Sequence, residues 1–199
     1  MTCSHHPLVT GLILAGGASR RMGRNKAFLE LGGRTLIEIV LERLTQVCAE
    51  VLVVAGDVSP YSGLGVPTVR DRFAGAGVLG GLHAGLEAAS CELAIAVGCD
   101  MPFLNPDLLR AFVEWSAGFD VVLLRRGEEV EPLHATYRRT CLLPIEEAIH
   151  ARQRRIISFF DRVRVRYLTP EEIIPFDPEL RSFFNVNTPE EWERARLML

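Results

Sequence analysis

The chain has 199 residues, 48% of them hydrophobic and 24% charged, which suits one folded domain and excludes a disordered chain. A net charge of -3 and a pI of about 6.0 exclude a whole-molecule field that would draw it to nucleic acid or an anionic membrane, so any anion site must be local. No apolar run approaches the roughly 18 residues that span a bilayer, Met1 to Thr10 lacks a signal-peptide core, and the five cysteines form no CxxC pair; a cytoplasmic protein with reduced thiols is expected.

In chain order, short apolar runs at Val9 to Leu14, Val51 to Ala55, Leu93 to Val97 and Asp120 to Leu124 read as strands, with helix-period segments between them. That alternation predicts an α/β fold: a mainly parallel central sheet with helices on both faces. Thr35 and Glu38 form a T-x-x-E capping box ahead of an apolar stripe, which predicts a helix over 36–47. Asn105, Pro106 and Asp107 supply an N-cap, a first-position proline and a carboxylate at the positive dipole end, so a helix is predicted from there to Ser116. Leu143 to Ala151 and Ile156 to Asp161 read as helical, and two further helices are predicted to begin at Thr169-Pro170 and Thr188-Pro189, each with glutamate three residues after the threonine. HATYRR and VRVRYL, inside the segment Glu128 to Leu168, look like charge-edged strands of a small lobe added to the sheet. A single domain is expected, with a first part over about 9–127 and a second part over about 128–199.

Two stretches carry chemistry. In GLILAGGASRRMGRNK, a strand is followed by Gly16 and Gly17 and then by Arg20, Arg21, Arg24 and Lys26. Glycines at the carboxyl end of a strand let backbone N–H groups approach a phosphate, and the cations add donors, so a polyphosphate suits this loop. A tight turn with a solvated basic edge is the other reading. G-x-x-x-x-G-K-[ST] and G-x-G-x-x-G both fail here, which excludes a P-loop ATPase and a dinucleotide-binding dehydrogenase. In AIAVGCDMPFLNPDLL, Asp100 ends a strand, a seat suited to Mg²⁺ that is completed by phosphate and water, or else a loop cap.

LAGGASRRMGRNK resembles the L-A-G-G-x-S-x-R-M-G-x-x-K signature of the molybdenum cofactor guanylyltransferases, and GCDMPFLNPDLL and FFNVNTPEEWE resemble that family's other two motifs. The likeness runs from about Val9 to Arg196. It implies a Rossmann-like nucleotidyltransferase fold, GTP as co-substrate, Mg²⁺ as cofactor, and molybdopterin or its molybdenum-loaded form as acceptor. Proteins that hand over the acceptor are a further partner class. Carried over residue by residue, Leu14, Ala15, Gly16 and Gly17 match the nucleotide loop, Lys26 the triphosphate lysine, Asp71 the nucleobase or ribose contact, and Asp100 the metal ligand. Lys26, Asp100 and Arg21 would neutralise charge in the transfer. Asn25 stands where an acidic residue is common and Val78 where proline is usual, and the family's asparagine after the second strand has no counterpart in VLVVAGD.

Four residues are candidates for the acceptor side. Asn185 and Asn187 either reach acceptor and metal or shape their turn, Arg155 either forks onto the acceptor's phosphate or lies on an exposed helix face, and His134 is either packed or touches the acceptor. Cytidylyl transfer on the same fold, to molybdopterin or an isoprenoid alcohol phosphate, and a non-catalytic nucleotide-binding regulator are the alternatives. Gly17, where the cytidylyl branch tends to have alanine, favours the guanylyl reading.

Overall fold

The computed structural model describes residues 8–16, 25–73 and 75–199. Strand β1 (Val9–Leu14) is buried on both faces and pairs in parallel with β4 (Glu50–Ala55) and β6 (Leu93–Gly98). These are the near-continuous apolar runs of the sequence, as expected of strands covered on both sides. Between β1 and β4 lie the two-residue strands β2 (Glu30–Leu31) and β3 (Arg34–Thr35), which form a separate hairpin, and helix α1 (Leu36–Thr45). The seven-stranded sheet is completed by β5 (Thr68–Arg70), β7 (Val121–Arg126), β8 (Glu129–Arg138) and β9 (Val165–Leu168), in the order β5-β4-β1-β6-β8-β7-β9. Only β8 runs against its neighbours. The charge-edged segment is therefore woven into the sheet more deeply than an added lobe would be: β8 separates β6 from β7, and β9 takes the edge opposite β5.

Alternation along the strands sends successive residues to opposite faces. Leu12, Leu14, Leu52 and Val54 pack with α2 (Val78–Ala88) and α4 (Leu142–His150) on one side. Ile13, Val51, Val53 and Val97 pack with α1 and α3 (Pro106–Trp115) on the other. The caps at Thr35, Asn105, Thr169 and Thr188 all lie where the sequence places them. Helix α5 (Pro170–Ile173) is a single turn, α6 is Pro189–Leu197, and Ile156–Arg162 is a 3₁₀ turn. Helix α2 is absent from the sequence reading, because VLGGLHAGLEA holds three glycines, each costing about 1 kcal/mol against alanine in a helix. Its glycines serve packing: a Cβ at Gly85 would sit 2.9 Å from Leu12 Cδ1 and 3.1 Å from Val54 Cγ2, so only glycine lets α2 lie this close to the sheet.

Candidate active site

After β1 the chain crosses to β4 on one side, and later to β6 on the other, so the strand order reverses at β1. The crevice outside the carboxyl end of such a strand is where open α/β sheets bind ligands. Ala15 extends the ladder through its N–H to the Val54 carbonyl at 2.9 Å, leaving Gly16 exposed at the mouth. On the β4 side, Leu14, Gly16, Asp71, Gly77, Val78 and Gly81 line one small cleft. Asp71 follows β5, and its Oδ1 accepts from the Phe73 N–H at 2.8 Å, closing its own turn. Its carboxylate lies over α2: a Cβ at Gly80 would meet Oδ1 at 2.7 Å and Oδ2 at 2.8 Å. The GVLGGL run thus supplies the cleft wall, a role for Gly77, Gly80 and Gly81 that the residue-by-residue reading does not contain.

On the β6 side, Asp100 follows the strand end and Lys26 begins the 3₁₀ turn Lys26–Phe28. Lys26 Nζ donates to Asn187 Oδ1 at 2.7 Å and lies 3.9 Å from Asp100 Oδ2. Burial raises the Asp100 pKa above its ordinary value, and the Lys26 ammonium opposes that rise. The third motif is anchored to the second through the backbone, since the Val186 N–H donates to the Asp100 carbonyl at 2.9 Å. Val186 is buried with Leu31, Leu36 and Ala195, while Glu191 accepts from the N–H groups of Asn187 and Thr188 at 2.6 and 2.9 Å. The capping box of α6 therefore fixes the residue that meets Lys26.

The structure does not gather the other acceptor candidates in the same way. Asn185 donates to the Phe183 carbonyl at 3.3 Å and shapes its own turn. Arg155 is exposed in an open groove of about 460 Å³ with Glu129, Glu131 and Pro132 of the β7–β8 hairpin. His134 takes the packed alternative: the ring is 0% exposed, with centroids 4.9 Å from Phe112 and 4.5 Å from Phe183. It pairs with Val97 inside the sheet under α3, and neither ring nitrogen has a hydrogen-bond partner among the described residues. Gly17 and Arg21, with Arg20 and Arg24, lie outside the described residues.

Residues 11–165 match the family model described as the MobA-like NTP transferase domain. The chain belongs to this family. It is accordingly a nucleotidyltransferase, and the MobA-like match spans both Lys26 and Asp100. Relatives named probable molybdenum cofactor guanylyltransferase in Pelotomaculum thermopropionicum and molybdenum cofactor guanylyltransferase in Desulfosudis oleivorans are 42% and 40% identical. The first alignment covers 95% of this chain and 92% of the relative, the second 94% of each. Among solved structures, molybdopterin-guanine dinucleotide biosynthesis protein A from Archaeoglobus fulgidus superposes with a TM-score of 0.84 at 31% identity, covering 95% of this chain and 97% of its own. 2-C-methyl-D-erythritol 4-phosphate cytidylyltransferase from Thermus thermophilus, at 20% identity and a TM-score of 0.68 over 94% of this chain and 96% of its own, shares the fold. Membership in the MobA-like family sets aside the non-catalytic regulator, and the names of the relatives favour guanylyl over cytidylyl transfer.

Proposed function

We propose that the protein transfers GMP from GTP to the terminal phosphate of molybdopterin or its molybdenum-loaded form, making the guanine dinucleotide cofactor and releasing pyrophosphate. The observation that carries this reading is the convergence of Lys26, Asp100 and Asn187 beside the Leu14–Gly16 backbone, at the carboxyl edge where the strand order reverses. An oxygen of the acceptor phosphate attacks the α-phosphorus of GTP; that P–O bond forms, the bond to the bridging α,β-oxygen breaks, and the electron pair leaves with pyrophosphate. A phosphate monoester, with its second pKa at about 6, is already largely dianionic at neutral pH, so no general base is needed. His134, buried and out of reach of solvent, is not asked to be one.

What the chain supplies is alignment and charge neutralisation, the chief demands of phosphoryl transfer. Lys26 sits where it can hold the triphosphate, with Asn187 fixing its ammonium from one side. Arg21 is proposed to add a second cation, and Gly17 further backbone donors. The Asp100 carboxylate, a hard oxygen ligand held mostly out of water beside Lys26, suits Mg²⁺. Asp100 would hold the ion, which would supply positive charge to neutralise the phosphates. On the acceptor side, Arg155 in its groove and Asn185 are the proposed contacts, about residues 128–199 forming that half of the domain. We place the reaction in the cytoplasm: Cys48, Cys91, Cys99 and Cys141 are free thiols, which suits a reducing compartment, and no helix among the described residues is long and apolar enough to cross a membrane.

Pyrophosphate release with each NTP, in the presence and absence of molybdopterin, tests the proposal. Release only with GTP and molybdopterin together is the expected result. Release without acceptor, or with CTP in preference, overturns it.

A further inference from the structure

One buried hydroxyl joins the end of β1 to the turn that carries Lys26. Tyr61, in the 3₁₀ turn Ser59–Leu64 after β4, is 2% exposed, and its ring stacks on Phe28 with centroids 5.4 Å apart. Its hydroxyl donates to the Ala15 carbonyl at 3.2 Å and accepts from Asn25 Nδ2 at 2.9 Å. Through its Oδ1, Asn25 accepts from the Ala27 N–H at 3.2 Å and so caps the turn Lys26–Phe28. Ala15 and Asn25 stand on either side of the glycine and arginine stretch 17–24 in the sequence.

We propose that Tyr61 is a positioning residue of the triphosphate site, setting the spacing between the Ala15–Gly16 backbone and Lys26. This rests on reading both as triphosphate contacts. A phenol suits the task because one oxygen both donates and accepts. Burial raises the Tyr61 pKa, so the O–H hydrogen stays in place at neutral pH. Asn25 acquires a reason as well: its amide donates to the hydroxyl while its carbonyl oxygen caps the turn. A carboxylate at that position could only accept, and would compete with the Ala15 carbonyl for the single hydroxyl hydrogen. The ring is also buried in the core around Val53 and Ala55, so the sheet anchors the hydroxyl independently of the Phe28 stacking on the turn.

Tyr61→Phe keeps the ring, its burial and its stacking, and removes only the hydroxyl. The KM for GTP is expected to rise about tenfold, the size of one to two hydrogen bonds, while the KM for molybdopterin and the thermal midpoint change little. Asn25→Asp should raise the KM for GTP less, and the double variant should be no worse than Tyr61→Phe alone, since both break one relay. An unchanged KM for GTP in Tyr61→Phe, or equal rises for both substrates with a lowered midpoint, overturns the proposal and leaves Tyr61 a packing residue. Lys26→Ala measured alongside separates the two levels of the reading. If it leaves the KM for GTP unmoved, the triphosphate site itself is wrong; if it moves that KM and Tyr61→Phe does not, only the role of Tyr61 is lost.

Discussion

Asp100 is held with its side chain 19% exposed, where burial raises its pKa and Lys26, 3.9 Å away, pulls it back. A carboxylate whose burial outweighs the attraction of its lysine gains little for the fold, and its negative charge is what a divalent cation would use. Asp100→Asn is therefore expected to lower turnover by at least about a hundredfold, as for loss of a group that acts on transition-state charge. The thermal midpoint should move by no more than about 2–4 °C, the equivalent of roughly 1 kcal/mol in a chain of this size. Steady-state kinetics beside a melting curve check both halves; an active variant removes Asp100 from the reaction. Asp71 poses a finer question. One oxygen closes the turn to Phe73, while the carboxylate remains against Gly80 in the cleft that Leu14 and Gly16 share. Guanine offers N1–H and a 2-amino group side by side, a donor pair that a carboxylate can accept and that adenine and cytosine lack. The wild type is expected to prefer GTP over ATP and CTP by at least about a hundredfold in kcat/KM, roughly 2.7 kcal/mol. Asp71→Ala should lose most of that preference. A variant that stays guanine-selective leaves Asp71 as the cap of its own loop.

At the scale of elements, β8 contains the least expected residue. His134 pairs with Val97 in mid-sheet, and desolvation lowers its pKa from 6.5 to about 4. The unfolded chain takes up a proton near 6.5 while the folded one resists until about 4, so across that window the unfolded state binds more protons and stability falls as pH falls. The loss amounts to something on the order of 3 kcal/mol, complete below the folded pKa. Urea titrations at pH 7 and pH 4.5 should show most of this drop in the wild type and little of it in His134→Phe; equal drops would mean that another group governs the acid limb. Asp120, whose pKa the Arg164 hydrogen bond lowers from 3.8 to about 2, loses its contribution only below this window. The same strand shows where the sequence could not be read. The caps at Thr35, Asn105, Thr169 and Thr188 were legible, because Thr-x-x-Glu and Asn-Pro-Asp act over three or four residues of local backbone. The position of β8 between β6 and β7, and the helix hidden in VLGGLHAGLEA, depend on partners distant in the chain, which local periodicity does not encode. In the site, Lys26 and Asp100 stood out by residue type and place. Tyr61 and Gly80 did not, since their part is to hold other groups and they carry no chemistry of their own.

In the whole molecule, sheet order explains why three motifs far apart in sequence lie together. Reversal at β1 opens a crevice between the ends of β4 and β6, with the Asp71 cleft on one side and Lys26, Asp100 and Asn187 on the other. Helix α6 closes the arrangement from the far end of the chain: Trp192 Nε1 donates to the Glu30 carbonyl at 3.1 Å, tying the asparagine motif to the hairpin that follows Lys26. The two ends of the chain are thus one packed unit, and the product that would join nucleotide to acceptor is the most direct test of the account. The protein incubated with molybdopterin, Mg²⁺ and an equimolar mixture of GTP, CTP, ATP and UTP should yield, by mass spectrometry of the dinucleotide product, the guanine form almost alone. A cytosine dinucleotide as the main product, or no dinucleotide from a protein that binds GTP, would contradict it.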